Sequence, residues 1–439
     1  MKVHTFFLLI IFSIPLTAHE WHEAPKFTNN DLLSVSAEND SVAWICGKNG
    51  TVFLTLTGGR TWIDRSNNPA YQNLDLVHIF GENANLAFVI ANPIDQTGKT
   101  EADLFRSGDR GLNWQKVLTI SGTQGNSVFM FNTKQGAFLG NPINGKWQIF
   151  LTKDGGLTWD SAGIKIPSPT SDEISYTNGM FGDQDTHYLM FGTNKGRYYI
   201  SKDLGKTWQS NTVPGLSEIH CIAFADTLTG VIAGTGLLKT TDGGKTWKDN
   251  SALVPGQGTI TAMISHDFWH IFLIRAGDGT TDIGNHVYHT GNLTDSNWDT
   301  AYTAWDMQPF LYLGEARNGG YTYGLRKGGG LAIAVHDDPA VTGVDDKKKT
   351  PAEFSLAQNY PNPFNPVTNI GYTVPKNSYI TLKVYDILGN NIATLVNEEK
   401  PAGNYTINFN AADLPSGFYI YELKASNGFS MSRKMVLLK

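Results

Sequence analysis

An eight-residue pattern, Ser/Thr-x-Asp-x-Gly-x-Thr-Trp, recurs along the first 298 residues. It is strict at 152–159 (TKDGGLTW), 201–208 (SKDLGKTW) and 240–247 (TTDGGKTW). It is looser at 107–114 (SGDRGLNW) and at 55–62 (TLTGGRTW), where Thr57 stands in the Asp position, and a decayed copy ends at Trp298. The tryptophans at 62, 114, 159, 208, 247 and 298 are spaced by 52, 45, 49, 39 and 51 residues. A repeat of this period marks an architecture of stacked supersecondary units. Each residue type has a local reason. Asp and Ser/Thr side chains accept from turn N–H groups, Gly tolerates positive φ, and Trp lays a large apolar face into a core. The structural positions singled out are Asp109, Trp114, Asp154, Trp159, Asp203, Trp208, Asp242 and Trp247.

The residues around each copy read as strands. In 219–247, IHCIAFAD, TGVIAGT and GLLKTT precede the pattern and WKDNSAL follows it. Four strands per period is the rhythm of a β-propeller. The unit near 305–337 has strand material but no pattern of its own, and Trp21-His22-Glu23 looks like a fourth strand without a blade before it. Residues 20–26 are therefore expected to complete the last blade. This gives an all-β, seven-bladed propeller, with six blades as the competing count.

The pattern resembles the Asp-box (BNR-like) repeat of sialidases, sortilin-type receptors, xyloglucanases and the photosystem II assembly-factor propellers. The resemblance implies a box between the third and fourth strands, on the face away from the binding face. It carries no ligand information.

Composition supports this reading. Only 17% of residues are charged while 12% are aromatic, which excludes a disordered chain and a coiled coil. A net charge of −6 gives no footprint for nucleic acid. Met1–Ala18 reads as a secretory signal peptide, with Lys2 before the apolar run Phe6–Ile14, and no later segment approaches the ~20 residues of a spanning helix. Cys46 and Cys221 are expected to be buried, unpaired thiols.

Residues 338–353 read as a linker. Residues 354–439 read as a small all-β domain, with alternation at Tyr379–Tyr385 and Asn404–Phe409 and a hairpin turn at Ser426-Asn427-Gly428. The segment NYPNPFNP, the VYDILG turn, AGNY, LPSGFY and the terminal SRKMVLLK resemble the type A C-terminal sorting domain of the type IX secretion system. That resemblance implies an Ig-like β-sandwich, translocation across the outer membrane to a secreted or surface location, and a sorting signal including Gly417, Tyr419, Arg433, Lys434 and Lys439.

Chemistry is harder to read. The Arg-Ile-Pro segment of sialidases is missing. Asp172, Glu173, Asp183, Asp185 and Asp226 are read as turn residues. His266, His270, His286 and His289 are read as strand and loop residues rather than convergent metal ligands, so no metal or cofactor is expected. The long loops Asn92–Asp103 and Arg275–Asn285 fall on the face opposite the boxes. Trp147, Tyr198, Trp269 and Trp305 either stack on sugars or pack between blades. The leading reading is a non-catalytic module binding carbohydrate or protein. A glycoside hydrolase with carboxylates in the central funnel and a structural surface component are the alternatives.

Overall fold

The computed structural model describes residues 19–336 and 354–438, apart from 95–97, 185–186, 225–227, 266–270, 281, 291–297 and 319 in the first span and 357–358, 360–361, 363, 402 and 427 in the second. The expected signal peptide and linker lie outside the described residues, as do His266, His270, Trp269, Asp185, Asp226 and Lys439. The chain divides into two compact units after His336.

The first unit is a ring of antiparallel sheets. Among the described residues, seven first strands contact one another in a closed cycle: Leu32–Asn39, Leu76–Gly81, Gly125–Met130, Ser175–Gly182, Ile219–Phe224, Ile260–Ser265 and Phe310–Asn318. Each begins a sheet whose later strands step outward in sequence order. Central strands such as Ala43–Gly47, Ala87–Ala91, Leu189–Thr193 and Gly230–Gly234 are buried throughout, as strands covered on both faces must be. The ring closes with the N-terminus. His19–Glu23 pairs antiparallel with Leu331–His336, with Trp21 opposite Ala334. Trp21 stacks on Tyr302 at 5.5 Å and meets the edge of Phe272 at 6.0 Å, both in the preceding blade.

A buried guanidinium fixes this closure. Arg326 is 1% exposed. It pairs with Glu23 of the closing strand and, at 2.7 Å, with Asp306, while Tyr302 donates to Glu23.

The repeated turn has one geometry. In the third blade Thr152 Oγ1 accepts from Gly156 N at 2.9 Å and donates to Asp154 Oδ1. Asp154 Oδ1 also accepts from Leu157 N and Thr158 N, and Oδ2 from Thr158 Oγ1 at 2.6 Å. Trp159 Nε1 then donates back to Gly156 O. The turns at Ser107, Ser201 and Thr240 repeat the hydroxyl-to-glycine and Asp bonds. At the first copy Thr57 Oγ1 substitutes for the carboxylate, accepting from Thr61 N at 3.0 Å. The glycine has φ +78 at Gly156 and +74 at Gly111. A Cβ there would lie 2.2 Å from Phe88 and 3.1 Å from Trp44, both in the preceding blade. The tryptophans point the same way: Trp114 onto Trp44, Trp159 onto Phe88, Trp247 onto Tyr198.

The third blade departs from the four-strand pattern. Its outer strand shrinks to one bridge, Leu151 to Asp160, because Asp160 accepts from Ala162 N and the chain turns through Gly163 at φ +78.

The second unit packs Ser355–Leu356, Val367–Val374 and Gly403–Asn410 in one sheet, and Asn391–Lys400, Ser378–Tyr385, Gly417–Ala425 and Ser430–Leu437 in another. Ser378–Tyr385 alternates buried with more exposed positions, and its inward residues Ile380, Leu382 and Val384 share a core with Ile370, Tyr421 and Met435.

Replacing Trp208, 6% exposed, by Ala should cost about 3–5 kcal/mol in denaturant unfolding. Arg326→Met should cost on the order of 3 kcal/mol by stranding Glu23 and Asp306, and a change within error would show that the termini close without this charge. Hydrogen bonds from the Thr158 and Thr246 hydroxyls, then from backbone N–H groups, pull Asp154 and Asp242 down to about 2 from 3.8. Their contribution is complete above the unfolded aspartate range and is lost as pH falls through about 2. Asp154→Asn with Asp242→Asn should therefore flatten the acid limb of a Tm-against-pH curve.

Candidate functional site

The first strands line a central channel. Strand direction alternates outward, so the ends where these strands begin share a face with the loops between second and third strands, and the repeated turns occupy the other face. The turn residues Asp109, Trp114, Asp154, Trp159, Asp203, Trp208, Asp242 and Trp247 thus lie away from the mouth formed by those beginnings.

At that mouth the register slips in every first strand. Leu32 pairs with Gly47 and Ser34 with Cys46, leaving Leu33 as an extra residue. The same slip leaves Val77, Asn126, His220, Thr261 and Leu311. A β-bulge frees backbone groups from the ladder and re-aims a side chain. These residues are partly exposed where the residue before each is buried, Asn126 excepted.

The fourth blade carries a larger bulge. Ser175 pairs with Thr193 and Met180 with Phe191, so Tyr176–Gly179 face a single partner residue. Asn178, at φ +61, reaches across the channel. Its Oδ1 accepts from Ser34 Oγ at 2.8 Å and contacts His78 Nδ1 at 2.6 Å. Its Nδ2 donates to the bulge carbonyls of Leu33 at 3.2 Å and Val77 at 3.4 Å. His78 also contacts Val128 O at 3.0 Å, and burial pushes its imidazole below the ordinary value. Asn178 thereby pins the first and second blades to the fourth.

Next to Asn178 the channel is not filled by side chains. A cavity of about 130 Å³ is bordered by residues 178–181 of the fourth blade, His220, Thr261, Met263 and Tyr312, with room for several waters. Beside it Tyr176 stacks on His220 with ring centroids 3.6 Å apart, and His220 Nε2 lies 3.0 Å from Glu218 Oε2. The His220 contact is the first reason the Glu218 carboxyl falls below its usual range. Burial, then the Glu218 charge, pushes the Tyr176 phenol up.

The opposite end of the channel holds Arg317, whose Nη2 donates to Gly81 O at 2.5 Å while the guanidinium lies 4.5 Å from the Phe80 ring. Gln184 bridges Glu82 and Met130 O. Burial raises the carboxyls of Glu38 and Glu82, against the opposing pull of Arg317.

Several expected positions resolve differently. Glu173 closes the turn from Thr170, whose N–H its carboxylate accepts at 2.8 Å, and it is also 2% exposed and paired with Arg197 at 2.6 Å. Asp172 does sit in a turn, at φ +56. Trp147 and Tyr198 are buried at 6% and 4%, so neither is available to stack on sugar. Trp305 is exposed at 75%. His286 contacts Thr303 Oγ1 and His289 contacts Asp299. Among the described residues no group of three His, Cys, Asp or Glu side chains is placed to hold a metal. Cys46 and Cys221 are buried free thiols in different blades. The bulges were not anticipated. The Asn178-Gly179 pair inside a strand-like run was the available signal.

In the second unit Tyr419 is buried and donates to Pro415 O at 2.8 Å. Arg433 is exposed and donates to Leu356 O. Lys434 lies 5.1 Å over the Phe418 ring. Gly417 has open space where a Cβ would stand. Among the described residues no helix is long and apolar enough to cross a membrane.

Residues 358–438 match the family described as "Secretion system C-terminal sorting domain". This domain directs the protein through the type IX system to the cell surface or extracellular space. A search of curated protein sequences finds no match. Among solved structures, "YCF48 bound to D1 peptide" aligns with a TM-score of 0.55 at 14% identity, over 73% of this chain and 97% of its own. YCF48 from Cyanidioschyzon merolae aligns with a TM-score of 0.53 at 17% identity, over 72% and 98%. The WD40 β-propeller domain of Doa1 gives 0.48 at 8% identity, over 73% and 98%. At these identities the likeness is one of fold.

Asn178→Ala should destabilise the ring by about 1–3 kcal/mol, since Ser34, His78 and two carbonyls lose their partner. Chemical denaturation measures it, and an unchanged midpoint would show that the cross-channel bonds hold nothing.

Proposed function

We propose that the first unit is a non-catalytic binding module, presented outside the cell, whose ligand docks at the bulged mouth of the channel. The carrying observation is the ring of register slips. It gathers Leu33, Tyr176, His220, Thr261 and Leu311, from five blades, around one opening, on rigid strands. A protein ligand is favoured over carbohydrate. Trp147 and Tyr198, two of the aromatic candidates for sugar stacking, are buried in packing. YCF48 offers a protein of this fold with a bound peptide. The repeated turn is read as an Asp-box with a purely structural role, and residues 1–18 as the signal peptide of the first export step.

Peptide and glycan arrays test the module. Saturable binding to peptides without turnover supports it, and binding confined to glycans would move the reading to a lectin. Deleting 354–439 should leave the protein in the periplasm, and surface delivery without that segment would refute the proposed sorting boundary.

A second reading rests on Glu38 and Glu82. Both carboxyls face Arg317 at the same end of the channel, and a glycosidase divides acid and base roles between two such groups. Hydrolysis of polysaccharide substrates, lost in Glu82→Gln, would establish it.

A further inference from the structure

The second unit shows its large apolar side chains to solvent on one side. Among its described residues, those that are exposed belong to the four-stranded sheet, its turns or the residue that ends it, and none lies in the three-stranded sheet. Most gather at one end of the outer face. Burial alternates along Gly417–Ala425, so Phe418 and Ile420 point outward while Tyr419 and Tyr421 enter the core. Ile420 stands between Tyr385 and Lys434 on the neighbouring strands, and Val436 stands opposite Phe418. Lys434 Nζ lies 5.1 Å over the Phe418 ring. Tyr385 is the last paired residue of its strand, and Ile387 and Leu388 follow in the turn, 73% and 82% exposed. That turn is fixed. Asp386 Oδ1 accepts from Leu388 N and Asn390 N, both at 2.9 Å, and Oδ2 accepts from Asn390 Nδ2 at 2.8 Å. Gly389 takes φ +84. Two large aliphatic side chains are thus held in water beside an outward Phe and Ile, on backbone that has no ordering left to undergo. A contiguous apolar area of this kind marks an interaction surface, and its rigidity lowers the cost of binding.

We infer that this end of the sheet is the docking surface for a protein of the type IX machinery, which covers Ile387, Leu388, Phe418 and Ile420 with an apolar cleft and meets Lys434 with a carboxylate. The family match makes residues 358–438 the part that this machinery handles, and the inference is independent of what the ring binds. Charge sets the chemistry of the occupant. Asp386 spends its oxygens on its own turn, and Glu422 pairs with Lys424 and accepts from Ser430. Lys434 therefore gives the area its sign, which an acidic group on the partner complements. A second copy of this chain fits less well, because a two-fold contact centred here brings Lys434 against its own equivalent. A lipid surface would take the Ile387-Leu388 tip alone, and one turn buries too little for stable anchoring.

The full chain is produced in a cell that has the type IX system, and its surface and periplasmic fractions are measured. Ile387→Ser with Leu388→Ser should lower the surface fraction by at least about tenfold, with the Tm of the purified protein unchanged. Lys434→Glu should lower it by a similar factor and Lys434→Arg should not, and this pair decides the matter if the double variant fails to fold. Tyr379→Ser, on the same face at the other end of the sheet, should be delivered normally. A photo-crosslinker at position 388 should join the chain to an identified type IX component, and one at position 379 should not. Normal delivery of the folded double variant, or equal crosslinking from both positions, would overturn the docking surface. So would binding to phosphatidylglycerol vesicles that the double variant loses, or a dimer that it converts to monomer, since these assign the area to lipid or to a second copy. If deletion of 354–439 blocks delivery while the double variant passes, the surface falls and the sorting role stands.

Discussion

In the five blades that carry the patterned turn, one glycine of that turn packs against the blade before it. The glycine takes positive φ because the turn needs it, and has no side chain because the preceding blade occupies the space where a Cβ would stand. The hydroxyl two residues before the Asp fastens that glycine N–H, the Asp fastens the rest of the turn, and the Trp covers the joint with an aromatic contact to the neighbour. The same turn thus ends the third strand and sets where the next sheet lies. A ring results because the joint is repeated, and it closes because Trp21 makes the equivalent contact from the N-terminal strand.

Rigid joints on one face leave the other face free to vary. The bulges all occur near the starts of the first strands, at the end farthest from the fastened turns. There the chain can accommodate extra residues without disturbing the packing between blades. The fourth blade uses this freedom most. Its long bulge sends Asn178 across the ring to the first and second blades, and a cavity remains between it and His220, Thr261 and Tyr312. The second unit carries a separate task. Its match to a secretion sorting domain accounts for where the protein goes, and leaves the ring to determine what it meets there.

Much of the architecture was legible from the residues alone. The spacing of Trp62, Trp114, Trp159, Trp208 and Trp247 marked the repeat, and Asp154 and its equivalents marked the turns, because these interactions run between residues a few positions apart in sequence. The strand at Trp21 was legible for the same reason of phase. The motifs from Asn359 to Lys439 marked the sorting segment. The third blade's missing outer strand was not visible, because it depends on Asp160 choosing a local turn over a ladder.

The sequence by itself determined the repeat, the turn chemistry, the all-β class and the export signal, since each is written in short-range patterns of side-chain type. Only the tertiary structure decided which residues face the channel. A register slip of one residue leaves composition and periodicity nearly unchanged, yet it releases Leu33, Val77, His220 and Thr261 from their ladders. The partnership of Asn178 with Ser34 and His78 joins strands that lie far apart in the chain. It exists because the ring brings the first, second and fourth blades within reach of one side chain, and no local pattern records that distance.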